Sequence, residues 1–228
     1  DIHVRGGRGG EILYMVDGMP VTHPIYGGRS VVDLNVVDVE SVELLTGAFN
    51  AEYGQAQSGV VNITTRTGGE KLKGGLEYKT DELKVFGESY STHYGSFYFG
   101  GPEPITRDLL PSMGITIPGE MSFFLSGNGT LTNTPYNNNK TREKFSLFGL
   151  EVPEKQDNTQ NLNAKLGYDL SPSDRFTLSY HGSWKQWSSF DWAWKYYPDR
   201  TAAYRRINHA ANLQFSNVIS KSTYCVLN

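Results

Sequence analysis

The run Gly6-Gly7-Arg8-Gly9-Gly10 is the first place along the chain where residue types could do chemistry. Glycines let a backbone wrap a phosphate, and arginine-glycine tracts contact RNA. This run has neither the lysine nor the following helix of a phosphate-binding loop, and it occurs once. With a net charge of −3 and a pI near 6, the chain offers no basic surface to a nucleic acid. Serines, histidines and aspartates are present, yet no nucleophile-elbow or metalloprotease motif sets them together, so the sequence reads as a protein that is not an enzyme. Cys225 is the only cysteine and cannot close an internal disulfide. His23 has no second ligand at suitable spacing, and neither a metal site nor a cofactor is expected. The run Trp192-Ala193-Trp194-Lys195-Tyr196-Tyr197 is different in kind: flat apolar faces with polar tips suit stacking on a sugar.

The elements that would carry such side chains follow from composition and period. An aromatic content of 13 %, with 25 Gly and 14 Tyr, favours β-structure with many turns. No stretch approaches the roughly 20 consecutive apolar residues of a membrane-crossing helix. A membrane barrel remains open, because its strands alternate apolar and polar residues and so tolerate a mean hydropathy of −0.45. Residues 1–69 are rich in Gly and Val and contain no Trp, whereas all 4 Trp lie beyond Lys71. That shift sets the expected boundary between a first domain, 1–69, and a second, 70–228. In the first, strands are predicted at 2–5, 12–16, 41–45 and 60–66 between Gly-rich turns. A short helix is expected near Asp33 or Asp38, where an aspartate would cap free backbone N–H groups. No signal peptide opens the chain, and both ends fall in strand-like runs, which reads as a fragment.

The second territory holds the clearest pattern. Leu162, Ala164, Leu166, Tyr168 and Leu170 alternate with Asn161, Asn163, Lys165, Gly167 and Asp169. After the turn Ser171-Pro172-Ser173-Asp174 the alternation resumes with Phe176, Leu178, Tyr180, Gly182 and Trp184 against Arg175, Thr177, Ser179, His181, Ser183 and Lys185. The two runs predict a hairpin. Weaker versions occupy 121–132, broken by Phe124, and 207–216. Such strands suit a soluble sandwich with one wet face or a barrel with lipid outside and a polar lumen. Connections alternate between short (171–174) and long and polar (133–159 and 188–206), as barrels with short periplasmic turns and long extracellular loops do. On that sense the strand over 160–170 descends and the next rises, which places Trp184 and Trp187 near an outer aromatic girdle.

Two segments of the first territory resemble the plug of the TonB-dependent outer-membrane receptors. One is Ile2-His3-Val4-Arg5-Gly6-Gly7 followed by Tyr14-Met15-Val16-Asp17-Gly18-Met19-Pro20, similar to the family's Arg-Gly strand and its hydrophobic-Asp-Gly-x-Pro strand and turn. The other is Val39-Glu40-Ser41-Val42-Glu43-Leu44-Leu45-Thr46-Gly47, Asn50-Ala51-Glu52-Tyr53-Gly54 and Ser58-Gly59-Val60-Val61-Asn62-Ile63-Thr64-Thr65-Arg66, similar to the run that closes the plug. Gly100-Gly101-Pro102 resembles an early barrel turn of some relatives. The resemblance implies a mainly β chain: the later part of a small α/β plug, then seven or so N-terminal strands, from near 72–80, of an antiparallel transmembrane barrel of about 22.

The resemblance further implies import of a scarce solute, whether iron chelate, cobalamin, glycan or peptide, across the outer membrane of a Gram-negative bacterium. The energy would come from the TonB-ExbB-ExbD complex, whose contact segment normally precedes these residues. Other implied partners are outer-membrane lipid and the imported ligand. In the family an arginine matching Arg5 pairs with barrel glutamates to hold the plug, and many members add a basic residue where this chain has Thr46, leaving Arg5 as the expected plug–barrel contact. The loops expected at the plug's outward apex, 7–11 and 21–29, offer Arg8, Glu11, His23, Tyr26 and Arg29 for ligand binding. The aromatics Trp192, Trp194, Tyr196 and Tyr197 would stand on an extracellular loop. The rival reading is a soluble, secreted all-β carbohydrate-binding module that uses those same aromatics.

Overall fold

The computed structural model describes residues 11–21, 34–46, 58–82, 89–133, 145–147, 150–152, 157–188, 191–194, 196–197, 200–220 and 223–227. The expected strand over 2–5 lies outside them. The chain is mainly β and divides into two principal sheets. In the first, β1 (Ile12–Val16), β2 (Met19–Pro20), β3 (Val39–Leu45) and β4 (Gly59–Thr65) run in the order β2-β1-β4-β3. The central pair is parallel, with Ile12 opposite Gly59 and Val16 opposite Ile63, and β3 joins antiparallel.

The β-branched run of β4 explains its central place. Val60 and Val61 point to opposite faces yet both are buried, so this strand is covered on either side as a middle strand must be. Ile12, Val16 and Val21 complete a small core, with Tyr14, Leu34 and Ile63 packed at its margin. The helix expected near Asp33 or Asp38 is instead a single 3₁₀ turn, Val36–Asp38. Asp38 ends that turn rather than opening it: its Oδ2 accepts the Asn35 backbone N–H at 3.1 Å, folding the side chain back over the first residues. Asp33 lies outside the described residues.

The second sheet has seven strands: β5 (Lys73–Thr80), β6 (His93–Pro102), β7 (Glu120–Thr132), β10 (Asp157–Asp169), β11 (Asp174–Ser188), β12 (Ala203–Ser220) and β13 (Thr223–Leu227). All neighbours are antiparallel, and the sheet is an open meander from β5 to β13. A small hairpin of β8 (Phe145–Leu147) and β9 (Leu150–Val152) sits in the connection between β7 and β10. The hairpin expected from the alternation is β10–β11, and its unbroken register sets Lys165 opposite Ser179 and Tyr168 opposite Phe176. Gly100-Gly101-Pro102 ends strand β6 rather than forming a turn. Phe124, which interrupts the alternation of β7, lies on the buried face; Gly100 makes room for it, since a Cβ there would stand 2.8 Å from its ring.

The burial of this sheet is inverted. Ser126, Asn161, Asn163, Lys165, Ser179, His181 and Ser183 are buried, while Leu76, Phe97, Phe99, Leu178 and Leu213 on the other face are exposed. The polar face is covered by the first sheet, and the apolar face is bare along most of its length though Trp184 is buried, as the wall of a plugged barrel allows. Trp184 shares the apolar face and packs edge-on against His209. Trp187 does not: it shares the polar side with Lys185, its ring 5.6 Å from the Lys185 ammonium, so only one of the two tryptophans is placed for an outer girdle.

Candidate functional site

The strongest polar cluster among the described residues lies where the two sheets meet. It starts from the turn that closes β1 onto β2. Asp17 (φ 48°) and Gly18 (φ 80°) are both left-handed, the conformation a two-residue hairpin demands and the reason Asp-Gly serves here. The Asp17 N–H donates to the Ile63 carbonyl at 2.9 Å, so the turn is tied to β4 and its carboxylate faces Thr65. The Thr65 N–H donates to Asp17 Oδ1 at 3.0 Å, and the Thr65 hydroxyl donates to Oδ2.

The wall supplies the cation. Lys165 Nζ donates to Asp17 Oδ1 at 2.8 Å, to the Thr65 carbonyl at 2.8 Å and more loosely to Thr65 Oγ1 at 3.3 Å, which occupies the donor capacity of an ammonium. The side chains of Lys165 and Asp17 are only 8 % and 5 % exposed. Asn212 of β12 adds a bond from Nδ2 to the Asp17 carbonyl at 3.0 Å. Two of these groups arrive by strand register: Lys165 is paired with Ser179 and Ser179 with Asn212, which sets Lys165 and Asn212 on one face of the sheet.

A second contact lies alongside. Asn163 Nδ2 donates to Asp38 Oδ2 at 2.7 Å, and its Oδ1 is 3.0 Å from His181 Nδ1. Since the Asn163 amide nitrogen is committed to a carboxylate, its oxygen must accept, which puts a hydrogen on His181 Nδ1. His181 Nε2 then stands 3.4 Å from Asp17 Oδ2, an ionic contact when the ring is protonated. Asn35 Nδ2 extends the seam to the Tyr94 hydroxyl at 2.9 Å.

Burial alone would raise the Asp17 pKa. The nearby His181 ring, the hydrogen bonds from Lys165 and Thr65, and the charge of Lys165 outweigh that and hold the carboxyl well below the usual carboxylate range. Asp17 is therefore an anion at neutral pH, as a partner for a buried ammonium must be. Removing either partner would strand a charge out of water, a change that costs roughly 3–5 kcal/mol. The cluster holds no nucleophile poised against a base; what it can do is fasten one sheet to the other. Among the described residues no group of three or more His, Cys, Asp or Glu is placed to hold a metal ion.

Of the residues singled out in the sequence, Arg5, Arg8, His23, Tyr26 and Arg29 lie outside the described residues. Glu11 precedes β1, at the end of the first sheet away from the Asp17 turn, and its carbonyl accepts the Ser58 N–H at 3.1 Å. Trp192, Trp194, Tyr196 and Tyr197 form an exposed group between β11 and β12. Asp191 caps a 3₁₀ turn there, and the Arg200 guanidinium lies 6.0 Å from the Trp194 ring and 5.7 Å from that of Tyr197. Sequence reasoning passed over Lys165 and Asp17. The available signal was a lone lysine on a strand face otherwise made of Asn, Gly and Asp, which in a wall facing protein asks for a carboxylate.

Residues 1–61 match the family described as the TonB-dependent Receptor Plug Domain. Over 75 residues, 33 % of this chain and 7 % of the relative, the chain is 29 % identical to the TonB-dependent transporter Oar of Myxococcus xanthus. Its fold is similar to a mutant of the ferric enterobactin receptor PfeA of Pseudomonas aeruginosa, with a TM-score of 0.53 at 19 % identity, covering 91 % of this chain and 31 % of that one. It is likewise similar to the outer membrane transporter YddB of Escherichia coli, with a TM-score of 0.54 at 15 % identity, covering 92 % of this chain and 29 % of that one. The chain thus spans less than a third of either of these two solved structures and a far smaller part of Oar.

Proposed function

We propose, from the premise that this chain carries a TonB-dependent receptor plug domain followed by strands of its barrel, that the complete protein imports a scarce solute across the outer membrane of a Gram-negative bacterium. Import would draw on the TonB-ExbB-ExbD complex. The plug occupies 1–69 and the wall begins at 70, with 66–72 linking β4 to β5. The observation that carries the reading is the buried seam from Asp17 to Lys165 and from Asp38 to Asn163. A barrel too wide to be sealed by its own side chains needs a stopper, and a stopper that must also move is better held by a few polar contacts than by a continuous apolar core.

In this reading Asp17 and Lys165 act as a latch, and energy input separates them as the plug shifts. Arg5 is proposed as a further plug–wall contact. Arg8, Glu11, His23, Tyr26 and Arg29 are proposed to meet ligand at the outward end of the plug, with Trp192, Trp194, Tyr196 and Tyr197 meeting it from the loop. Aromatic faces and an arginine suit an organic ligand, a complexed metal or a glycan better than a bare cation, which would call for clustered carboxylates. The test is growth of cells whose only high-affinity uptake route is the complete receptor, on iron chelates, cobalamin, glycans and peptides supplied one at a time as the limiting nutrient. Growth on one of them that needs both the receptor and the energising complex is the expected result. Growth that persists without that complex would overturn the reading.

A further inference from the structure

At the end of the wall where β5 begins, four residues, 170–173, join β10 to β11 and two residues separate β12 from β13, whereas residues 103–119 form a far longer link between β6 and β7. Its start is pinned. The Glu103 N–H donates to the Met121 carbonyl at 2.9 Å, and the Glu103 carboxylate accepts from the backbone of Ile105 and Thr106 at 2.8 and 2.7 Å. A helical elbow follows, one wide turn over Ile105–Leu109 and a tighter one over Leu110–Ser112. From Leu109 to Gly119 there is no charged residue. Ile105, Leu109, Met113, Ile115 and Ile117 are all exposed, Met113 at 68 %. Thr106 and Arg107 instead line a cavity of about 690 Å³, together with Glu70, Glu120, Asp169 and Arg175. The start of the link thus turns a polar edge to the cavity, and its apolar side chains are bare.

Its far end locates that side. Tyr168 lies on the apolar outward face of the wall, and its hydroxyl donates to the Pro118 carbonyl at 2.7 Å. Tyr168 belongs to a row that register draws across the sheet: Met121, Tyr168, Phe176, Phe215 and Leu227. Ring centroids along it are 6.3 Å apart for Tyr168 and Phe176 and 4.7 Å for Phe176 and Phe215. Such a row at the rim of an outward face is where a barrel meets the headgroup level. We infer that residues 105–118 are an interfacial anchor. Ile115 and Ile117 extend the lipid-facing band beyond the rim and rest at the boundary of headgroups and acyl chains in the periplasmic leaflet. The occupant is phospholipid rather than a protein, because the stretch from Leu109 to Gly119 is uncharged and continuous with the lipid-facing band, while Thr106 and Arg107 before it are turned to the cavity. The inference rests on the barrel reading above.

The experiment uses the complete receptor in phosphatidylethanolamine–phosphatidylglycerol vesicles, with Cys225→Ser and a nitroxide on Ile117→Cys, Leu178→Cys or Ser173→Cys in turn. Relaxation by oxygen and by a water-soluble nickel chelate reports depth. The label at 178 should sit in the hydrocarbon and that at 173 in water. The label at 117 should lie roughly 5–10 Å below the headgroup surface, open to oxygen and shielded from nickel. A label at 117 as open to nickel as that at 173 would overturn the anchor and leave the barrel standing. Shielding from both reagents would overturn it in favour of a protein cover. Loss of lipid contact at 178 would remove the barrel reading and the anchor together.

Discussion

The two sheets are built from similar strands and obey opposite rules of burial. In the first, Val60 and Val61 of one strand are both buried, and Ile12, Val16 and Val21 fill the space around them. In the second, the buried face is Ser126, Asn163, Lys165, Ser179 and His181, while Leu76 is 86 % and Leu178 47 % exposed. Apolar burial stabilises the first sheet by the ordinary hydrophobic effect, about 1.5–3 kcal/mol for a fully buried Val or Ile. The wall has its apolar side turned outward, where lipid would cover it in the proposed barrel. Where the two meet, neither rule applies, and among the described residues the join is made by hydrogen bonds and the buried ion pair of Asp17 with Lys165.

The comparison breaks most visibly at that join. Lys165→Met in the complete receptor should cost roughly 3–5 kcal/mol of plug docking, because Asp17 is left buried without its cation. Hydrogen exchange should then speed up at β1 and β4 amides while β10 and β11 stay protected. Equal exposure of both sheets would show that they unfold as one unit. Next in size is Leu178→Arg, which should cost roughly 2–4 kcal/mol in a reversible lipid-folding assay, since a charge replaces an apolar side chain near mid-wall. Arginine at the neighbouring Ser179 should leave the wall itself nearly unaffected, because that position faces away from the apolar side. Its effect falls on the join instead: Ser179 is 1 % exposed beneath the first sheet, so Ser179→Arg should displace the plug and leave wall insertion unchanged.

A smaller effect is expected from Val60→Ala, about 1–3 kcal/mol on the first sheet alone, read as a shift in denaturant midpoint for plug unfolding with the wall midpoint fixed. The smallest concerns pH. The Asp17 pKa is depressed in the folded state, so its stabilising contribution is fully present above the unfolded carboxylate value near ~3.9 and is lost only as pH falls through the lower folded value. Titration from pH 7 to 5 should leave the Asp17 contribution to docking unchanged. A midpoint between those values that vanished in Asp17→Asn would contradict the assignment.

The wall was legible because a period of two survives wherever one face is polar: β10 and β11 follow the alternation of Leu162 to Trp184 with a one-to-one register. Strand β7 was half legible, since Phe124 breaks the period and only its neighbour Gly100 explains how a phenylalanine fits the inner face. The 3₁₀ turn was misread as a helix because Asp38 suits a cap equally well; its bond to Asn163 depends on a residue far along the chain. The same distance hid the seam. Asp17 and Lys165 are unremarkable in their own segments, and only the stacking of one sheet on the other brings them to 2.8 Å.

The most direct test of this account is a double-mutant cycle on Asp17→Ala and Lys165→Met in the complete receptor, with plug docking measured by exchange of β4 amides. A latch predicts strong coupling, on the order of 2–3 kcal/mol, with the double variant less impaired than the sum of the single ones. Strict additivity would show that Asp17 and Lys165 do not hold the plug through each other, and would contradict the account.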